Sequence, residues 1–553
     1  MGISSAAYDS LNPTNLDNLT NPLRLPGDGL MGIVDAPKGA PLRITTGRES
    51  LEVLPGKRGE ISAYRVQQDG KTYVNPTFRV RAGADFSAEL ANGLDEETTI
   101  HWHGLHVDWH MDGHPLLPVA PDTTYRYAYP IENRGGTFWY HPHAHGTSAR
   151  QIYSGLAGFF IVKDEEERGF AGALDLKLGE TDIPLLVQDK MFDEGGNLLY
   201  APQPMDEEMG YQGDVVLANL TPNPYLEVAT RIYRFRLLNG ANARNLRLAF
   251  SRGGEVGLLP YEVIATDGSL LERPRQATEV FLSPAERVDV LVDLTGFEVG
   301  EEIVLRSLPF DPLHNEHDME MAGHMEHMDH HHHIGPARLP DGHGFYVLRL
   351  AVTERVDYVR RIPETLSEFA RWDFTGASVR PITLSMESQG GTTRWLINGL
   401  THDMNEYPIV ARRGAMEVWE VHNEEKSMPH PMHLHGYRFR VLGRTGSPEQ
   451  VSRLAMDEAG RTVTDLGYKD TVLVWPGETV TLAIDFSHGY EGEQLYYPSS
   501  RRRAAGEGAV LYLRLRGNRG CARASACGGW EKRRPHRRWG EGDPAVSPER
   551  AGR

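Results

Sequence analysis

Three pairs of the form His-x-His stand in this chain: His101-Trp102-His103, His141-Pro142-His143 and His433-Leu434-His435. Residues two apart on a strand project to the same side, so each pair aims two imidazoles at one point. Imidazole is a favoured ligand of copper, iron, nickel and zinc. The pairs are spread over more than 300 residues. No local metal finger covers such a span, so the pairs imply one multinuclear site closed by the fold. A seventh histidine, His430, precedes the last pair in His430-Pro431-Met432.

The elements that must carry these pairs read as short strands. Runs such as Thr77–Val80, Phe86–Leu90, Thr98–His103, Tyr125–Tyr129 and Ala157–Val162 recur with turns between them, and long amphipathic helical repeats are hard to find. Similar runs follow: Arg231–Leu238, Val288–Val292, Tyr346–Val352, then Met416–His422, Arg438–Leu442 and Thr479–Asp485. The organisation expected is an irregular N-terminal arm over 1–40, a first β block over 41–165 and a second over 178–353. A third block spans 376–518, and a basic, disordered tail spans 519–553. A charged connector, roughly 354–378, has helical potential around Glu364–Arg371. The two outer blocks supply the histidine pairs, so only a site between them lets the pairs meet; the middle block spaces them.

Bulk composition narrows the function class. The chain has 553 residues, 40% of them hydrophobic and 24% charged, which suits a globular protein of several domains. A formal charge of −18 argues against nucleic acid or an anionic membrane surface as partner. Residues 501–553 carry 14 Lys+Arg against 5 Asp+Glu, a net +9, so residues 1–500 carry −27 and the character changes near residue 500. The two cysteines, Cys521 and Cys527, both lie in that basic end, which excludes a disulfide framework for the body. No run is long enough to span a membrane. The first residues show no basic region followed by an apolar stretch, so the chain as written reads as cytoplasmic; a different start codon would permit a periplasmic or extracellular location.

Longer stretches around the pairs are more specific than the pairs alone. They include Thr99-Ile100-His101-Trp102-His103-Gly104 with Asp112-Gly113, and Gly136-Thr137-Phe138-Trp139-Tyr140-His141-Pro142-His143. Others are Arg234-Phe235-Arg236-Leu237-Leu238-Asn239-Gly240, Thr266-Asp267-Gly268 and Leu282-Ser283-Pro284-Ala285-Glu286-Arg287. Near the end stand His430-Pro431-Met432-His433-Leu434-His435-Gly436 and Lys469-Asp470-Thr471. In these stretches, which cover roughly residues 40–495, the chain resembles the three-domain, laccase-like multicopper oxidases and the copper-tolerance oxidases. The resemblance implies an all-β fold of three cupredoxin-like Greek-key β-sandwich domains. It implies copper as cofactor, O2 as oxidant, and a phenolic or aromatic substrate, or Cu(I), as electron donor. By the family pattern His101 and His433 bind the type 2 copper, and His103, His141, His143 and His435 bind the type 3 pair. His430 is one type 1 ligand, and Asp112 is an acid that helps deliver protons.

The pattern then breaks. The family closes with His-Cys-His, a further His and usually a Met. Here Tyr490-Glu491-Gly492-Glu493-Gln494-Leu495-Tyr496 leads into Tyr497-Pro498-Ser499-Ser500-Arg501-Arg502-Arg503. Six of the eight cluster histidines are present, but of the type 1 set only His430. A reading-frame shift near codon 497 would explain the change of composition; Val510–Leu515, which still reads as a strand, weighs against it. A true loss of the electron-entry site would instead leave a copper-binding or copper-buffering protein without turnover, or a copper-free scaffold of the same fold.

Residues 314–333 form a Met/His/acid loop in the second block, with thioether and imidazole groups suited to Cu(I) capture, or simply a low-complexity segment. His106, His110, His114 and His145 crowd the motifs but read as loop or supporting residues. Trp102, Trp139 and Tyr140 read as packing around the site, and Arg287 and Asp289 as structural ion-pair candidates.

Overall fold

In the computed structural model, the residues described are 2–516 except 28, 37–38, 204–205, 207–209, 313–337, 390–391, 402–407, 491 and 499–510. The Met/His loop, Cys521, Cys527 and the expected tail lie outside them.

The described residues build three β-sandwiches, each made of two sheets. In the first, one sheet runs in the order Lys71–Val74, Gly59–Gln68, Leu42–Leu51, Asp85–Asn92, Thr124–Pro130. Its partner runs Ile33–Asp35, Thr77–Arg81, Gly158–Lys163, Gly136–His141, His101–His103. Inward residues of both sheets, among them Ile44, Tyr64, Phe78, Phe86, Trp102 and Phe160, form one buried core. The alternation along Asp85–Asn92, with Phe86, Ala88 and Leu90 buried, is the pattern of a strand with one dry face.

The second sandwich packs Asp182–Lys190, Ile232–Asn239 and Arg287–Asp293 in one sheet against Leu246–Arg252, Glu302–Ser307 and Phe345–Glu354 in the other. Ile232–Asn239 is buried along its whole length, because residues of its outward face, Arg234 and Arg236, are covered by the helix Glu165–Ala173, which connects the first sandwich to the second. The third sandwich places Met416–Asn423 and Thr479–Asp485 in one sheet, and Gly492–Pro498, His430–Leu434 and Thr471–Val474 in the other.

Two expectations change. The arm over 1–40 is not wholly irregular: Asn21–Pro22 pairs in parallel with the second sandwich, and Ile33–Asp35 pairs with Thr77–Arg79 of the first. Such two- and three-residue strands are too short to show a period. Glu364–Arg371 forms no helix. Its backbone instead donates from Leu366 to the Glu272 carbonyl, the Ser367 hydroxyl donates to the Leu271 carbonyl at 3.0 Å, and Phe369 packs on Tyr468. Tertiary hydrogen bonds here outweigh helical propensity. Among the described residues no helix is long and apolar enough to cross a membrane.

Candidate metal centre

The three histidine pairs converge at the junction of the first and third sandwiches. In the first, His101–His103 pairs antiparallel with Gly136–His141, and the register sets His101 opposite His141. The strand ends at His141, and Pro142 leads into a loop that carries His143, whose amide donates to the Thr99 hydroxyl at 2.8 Å. In the third, His430–Leu434 carries His433, opposite Thr471, and His435 follows at the strand end. His101, His103, His433 and His435 are fully buried; His141 and His143 are nearly so.

Rings from the two sandwiches stack on one another. His101 lies 3.9 Å from His435 at 25°, and His103 lies 3.8 Å from His433 at 15°. Ligand nitrogens of His101, His103 and His433 lie within 4.8 Å of one another, as do a nitrogen of His101, a carboxylate oxygen of Asp112 and a nitrogen of His435. His141 and His143, expected as ligands, are in neither group, and neither are His430, His106, His110, His114 and His145. His145 turns outward and is exposed. His114 is buried, its Nδ1 accepts from the Leu116 amide at 3.2 Å, and burial first, with His101 and His110 nearby, pushes its pKa down to about 3. His430 is buried beside Trp395, with Nε2 3.0 Å from the Ser427 hydroxyl.

Hydrogen bonds define which nitrogen of each ring faces the centre. His101 Nδ1 donates to Asp112, 3.0 Å from both its carbonyl and its carboxylate Oδ1, and His435 Nδ1 donates to Asp112 Oδ2 at 2.7 Å. One carboxylate therefore bridges a ring of each sandwich. Asp112 gets there because Gly113 takes φ +66° and presses against the first strand; a Cβ at that position would sit 2.1 Å from the Ile100 carbonyl oxygen. His433 Nδ1 donates to the Asp470 carbonyl at 2.8 Å, and His141 Nδ1 to the Pro142 carbonyl at 3.0 Å. His103 is reversed: its Nε2 donates to Asp470 Oδ1 at 3.1 Å, and its Nδ1 faces His141 Nε2 at 3.3 Å.

These contacts test the fit of a metal. With His141 protonated on Nδ1 and His103 on Nε2, the two remaining lone pairs face the same space 3.3 Å apart, as two ligands of one metal would. His101 Nε2 is buried with no hydrogen-bond partner among the described residues. Burial, then neighbouring imidazoles, hold His103 and His435 well below the usual histidine pKa; burial also lowers His433. Neutral imidazoles keep their lone pairs, so the donor set suits a nitrogen-preferring transition metal such as copper. Burial raises the pKa of Asp112, against the pull of His101.

Asp470 received no role from the sequence beyond its place in Lys469-Asp470-Thr471. The structure puts its carboxylate on His103 and its carbonyl on His433. Arg287 and Asp289, read as ion-pair candidates, do form buried pairs, Arg287 with Asp470 and Asp289 with Arg234. Trp139 packs 4.1 Å from His141 and 5.1 Å from His103, ring to ring.

Comparison with known proteins agrees with this geometry. Profiles described as "Multicopper oxidase" match residues 61–167 and 377–496. The crystal structure of McoA multicopper oxidase from Aquifex aeolicus is similar at TM-score 0.76 and 36% identity, covering 90% of this chain and 99% of that one. Multicopper oxidase mco of Staphylococcus haemolyticus is 27% identical over 419 residues, 75% of this chain and 76% of that protein. Cell division protein FtsP of Escherichia coli is 26% identical over 490 residues, 87% of this chain and 91% of that protein. Buried imidazoles converging from two sandwiches, together with a relative aligned over nearly its whole length, place this chain in the multicopper oxidase family.

Proposed function

We propose that the chain is built as a laccase-like multicopper oxidase in which four one-electron oxidations of phenols, aromatic amines or Cu(I) are coupled to reduction of O2 to water. The observation that carries this reading is the meeting of His101 and His103 with His433 and His435 in two stacked pairs under one bridging carboxylate. His101 and His433 are assigned to the type 2 copper, and His103, His141, His143 and His435 to the type 3 pair. When bound, that cluster supplies the electron storage that O2 reduction requires. The protein's part is to exclude water through burial and to hold each ring in one tautomer. Asp112 accepts from His101 and His435 and, as a buried carboxyl of raised pKa, is the group placed to hold a proton beside the cluster.

Electron entry is the defective step in the chain as written. The strand Gly492–Pro498 runs beside His430–Leu434, with Tyr496, Tyr497 and Pro498 opposite Leu434, His433 and Met432. A Tyr-Tyr-Pro run at this place, instead of His-Cys-His, supports the reading that His430 lacks its type 1 partners. The nucleotide sequence around codons 495–515 tests the cause: a neighbouring frame encoding His-Cys-His followed by His and Met marks a frame shift. The protein as written is expected to bind copper without a blue absorption band and without oxygen uptake. The frame-restored protein is expected to show both. Restored protein that loads copper yet consumes no oxygen with phenols or Cu(I) would sink the oxidase assignment. The likeness to a protein named for cell division favours one second reading, a non-oxidase of the same fold; a chain that resists copper loading would establish it as a copper-free scaffold.

A further inference from the structure

The ligand ring with the reversed tautomer, His103, is held by a group that reaches in from the middle sandwich. Arg287 opens the strand Arg287–Asp293 and is fully buried. All five of its guanidinium N–H donors are used. Nε donates to the Thr137 carbonyl at 3.0 Å, and Nη1 to the Ala285 carbonyl at 3.0 Å and Asp470 Oδ1 at 2.8 Å. Nη2 donates to the Asp267 carbonyl at 2.9 Å and Asp470 Oδ2 at 2.6 Å. A guanidinium satisfied at every donor has no freedom to swing, and its two-pronged grip fixes the plane of the Asp470 carboxylate.

Oδ1 of that carboxylate also accepts from His103 Nε2 at 3.1 Å and from the Thr471 hydroxyl at 2.9 Å, and the same hydroxyl lies 3.2 Å from His103 Nε2. Asp267, also of the middle sandwich, accepts the Asp470 and Thr471 amides, each at 3.3 Å. The 470–471 corner in turn carries His433 through the Asp470 carbonyl, and His433 stacks on His103. The turn after His103 is shaped to admit the pair. Gly104 has φ +86°, and a Cβ there would lie 2.3 Å from Asp470 Oδ2 and 2.9 Å from Arg287 Nη2.

We propose that Arg287 is a positioning residue for the copper cluster: through Asp470 it holds His103 with Nε2–H turned away and Nδ1 turned inward, so that docking of the middle sandwich completes the ligand set. The role rests on the oxidase-type cluster proposed above. A carboxylate on the far nitrogen of a metal-binding histidine fixes its tautomer and orientation, and loss of such a partner weakens metal binding about 10–100-fold. A merely structural ion pair would stabilise the fold without choosing a tautomer.

The test uses the full chain in three forms: wild type, Arg287→Met and Arg444→Met. Arg444 is an almost equally buried guanidinium held by Asp465 and Glu478 of its own sandwich, and it measures general destabilisation. In copper-free protein labelled with nitrogen-15 histidine, the His103 resonances, identified by their loss in His103→Gln, are expected to report the Nε2–H tautomer in wild type and Arg444→Met. In Arg287→Met they are expected to report a mixture. Cu(I) affinity measured by chelator competition is expected to fall about 10–100-fold in Arg287→Met and to stay unchanged in Arg444→Met. Arg287→Lys, which keeps the charge but not the fork, is expected to fall between. If Arg287→Met does not fold, Arg287→Gln, which keeps a hydrogen-bond donor but not the two-pronged grip on Asp470, carries the same expectation. An unchanged tautomer with unchanged affinity overturns the proposal, and so does an equal loss in Arg287→Met and Arg444→Met. Wild-type protein that binds no Cu(I) defeats the cluster reading instead, while the tautomer comparison still decides for or against Arg287.

Discussion

At the scale of single residues, the site depends on which nitrogen each imidazole presents. Asp112 governs two rings at once, from opposite sandwiches. Asp112→Ala leaves His101 without its Oδ1 partner and His435 without Oδ2. Its bound copper, measured by metal analysis after dialysis against a chelator, is expected to drop about 10–100-fold in affinity; retention at wild-type affinity would show the bridge to be incidental. Away from the site, Lys190 is buried with Nζ 4.2 Å from the Tyr153 ring centre, and burial pushes its pKa down to about 7. A depressed folded pKa means the unfolded chain binds the proton more tightly. Lys190 therefore penalises the fold below about pH 7, and the penalty fades as pH rises toward its ordinary value near 10.5. Lys190→Met is expected to raise stability by about 2–5 kcal/mol at pH 7 and by much less at pH 10. Urea titrations at the two pH values check this, and an equal gain at both would contradict it.

At the scale of elements, the strand ends rather than the strands deliver the chemistry. His103, His141 and Leu434 each close a strand, and a glycine follows two of the histidine pairs, Gly104 and Gly436, both at positive φ. Gly104 and Gly146 allow the two causes of glycine preference to be separated. Both take positive φ, but a Cβ at Gly146 meets nothing within 4 Å, whereas at Gly104 it meets Asp470 and Arg287. Gly146→Ala is expected to cost about 1–2 kcal/mol, the left-handed backbone alone. Gly104→Ala is expected to cost more than about 3 kcal/mol and to weaken copper binding as well. Thermal unfolding and copper titration of the two variants side by side are the measurement; equal costs would mean that the close approach at Gly104 is relieved by repacking.

At the scale of the whole molecule, buried charge holds the helix that follows the first sandwich onto the second, and Thr137 of the first joins the network through Asp289 and Arg236. Glu167, from the helix Glu165–Ala173, meets Arg234 at 2.7 Å and Arg236 at 2.5 Å, and Arg236 also pairs with Asp182 at 2.7 Å. Burial opposes ionisation of Glu167 and Asp182, but the two arginines overcome it and hold both carboxyls below their ordinary values. The stability they contribute is therefore complete above the ordinary carboxyl range and is lost as pH falls through the depressed folded values. Arg236→Met removes the nearest partner of Asp182 and leaves Glu167 to Arg234 alone, and is expected to cost about 3–5 kcal/mol at pH 7. The urea midpoint should fall accordingly, and part of the difference from wild type should disappear in acid. A difference that does not change with pH would assign the loss to packing instead.

The sequence by itself determined the strand runs, the three histidine pairs and the family. Period-two alternation is local, as in Asp85–Asn92, and His-x-His spacing needs only a strand to aim two rings together. It also carried Asp112 into the site, through Asp112-Gly113. It left Asp470 without a role and Arg287 as a simple ion-pair candidate, and it assigned helical potential to Glu364–Arg371. Those outcomes depend on partners far away in the chain: Arg287 meets Asp470 across 183 residues, and His103 meets Asp470 across 367. No local period encodes such contacts. Which nitrogen of each imidazole turns inward is likewise set by acceptors that arrive only when the sandwiches dock. The ligand types were legible in sequence because they are local chemistry; their orientation was decided by tertiary structure because it is a property of the interface.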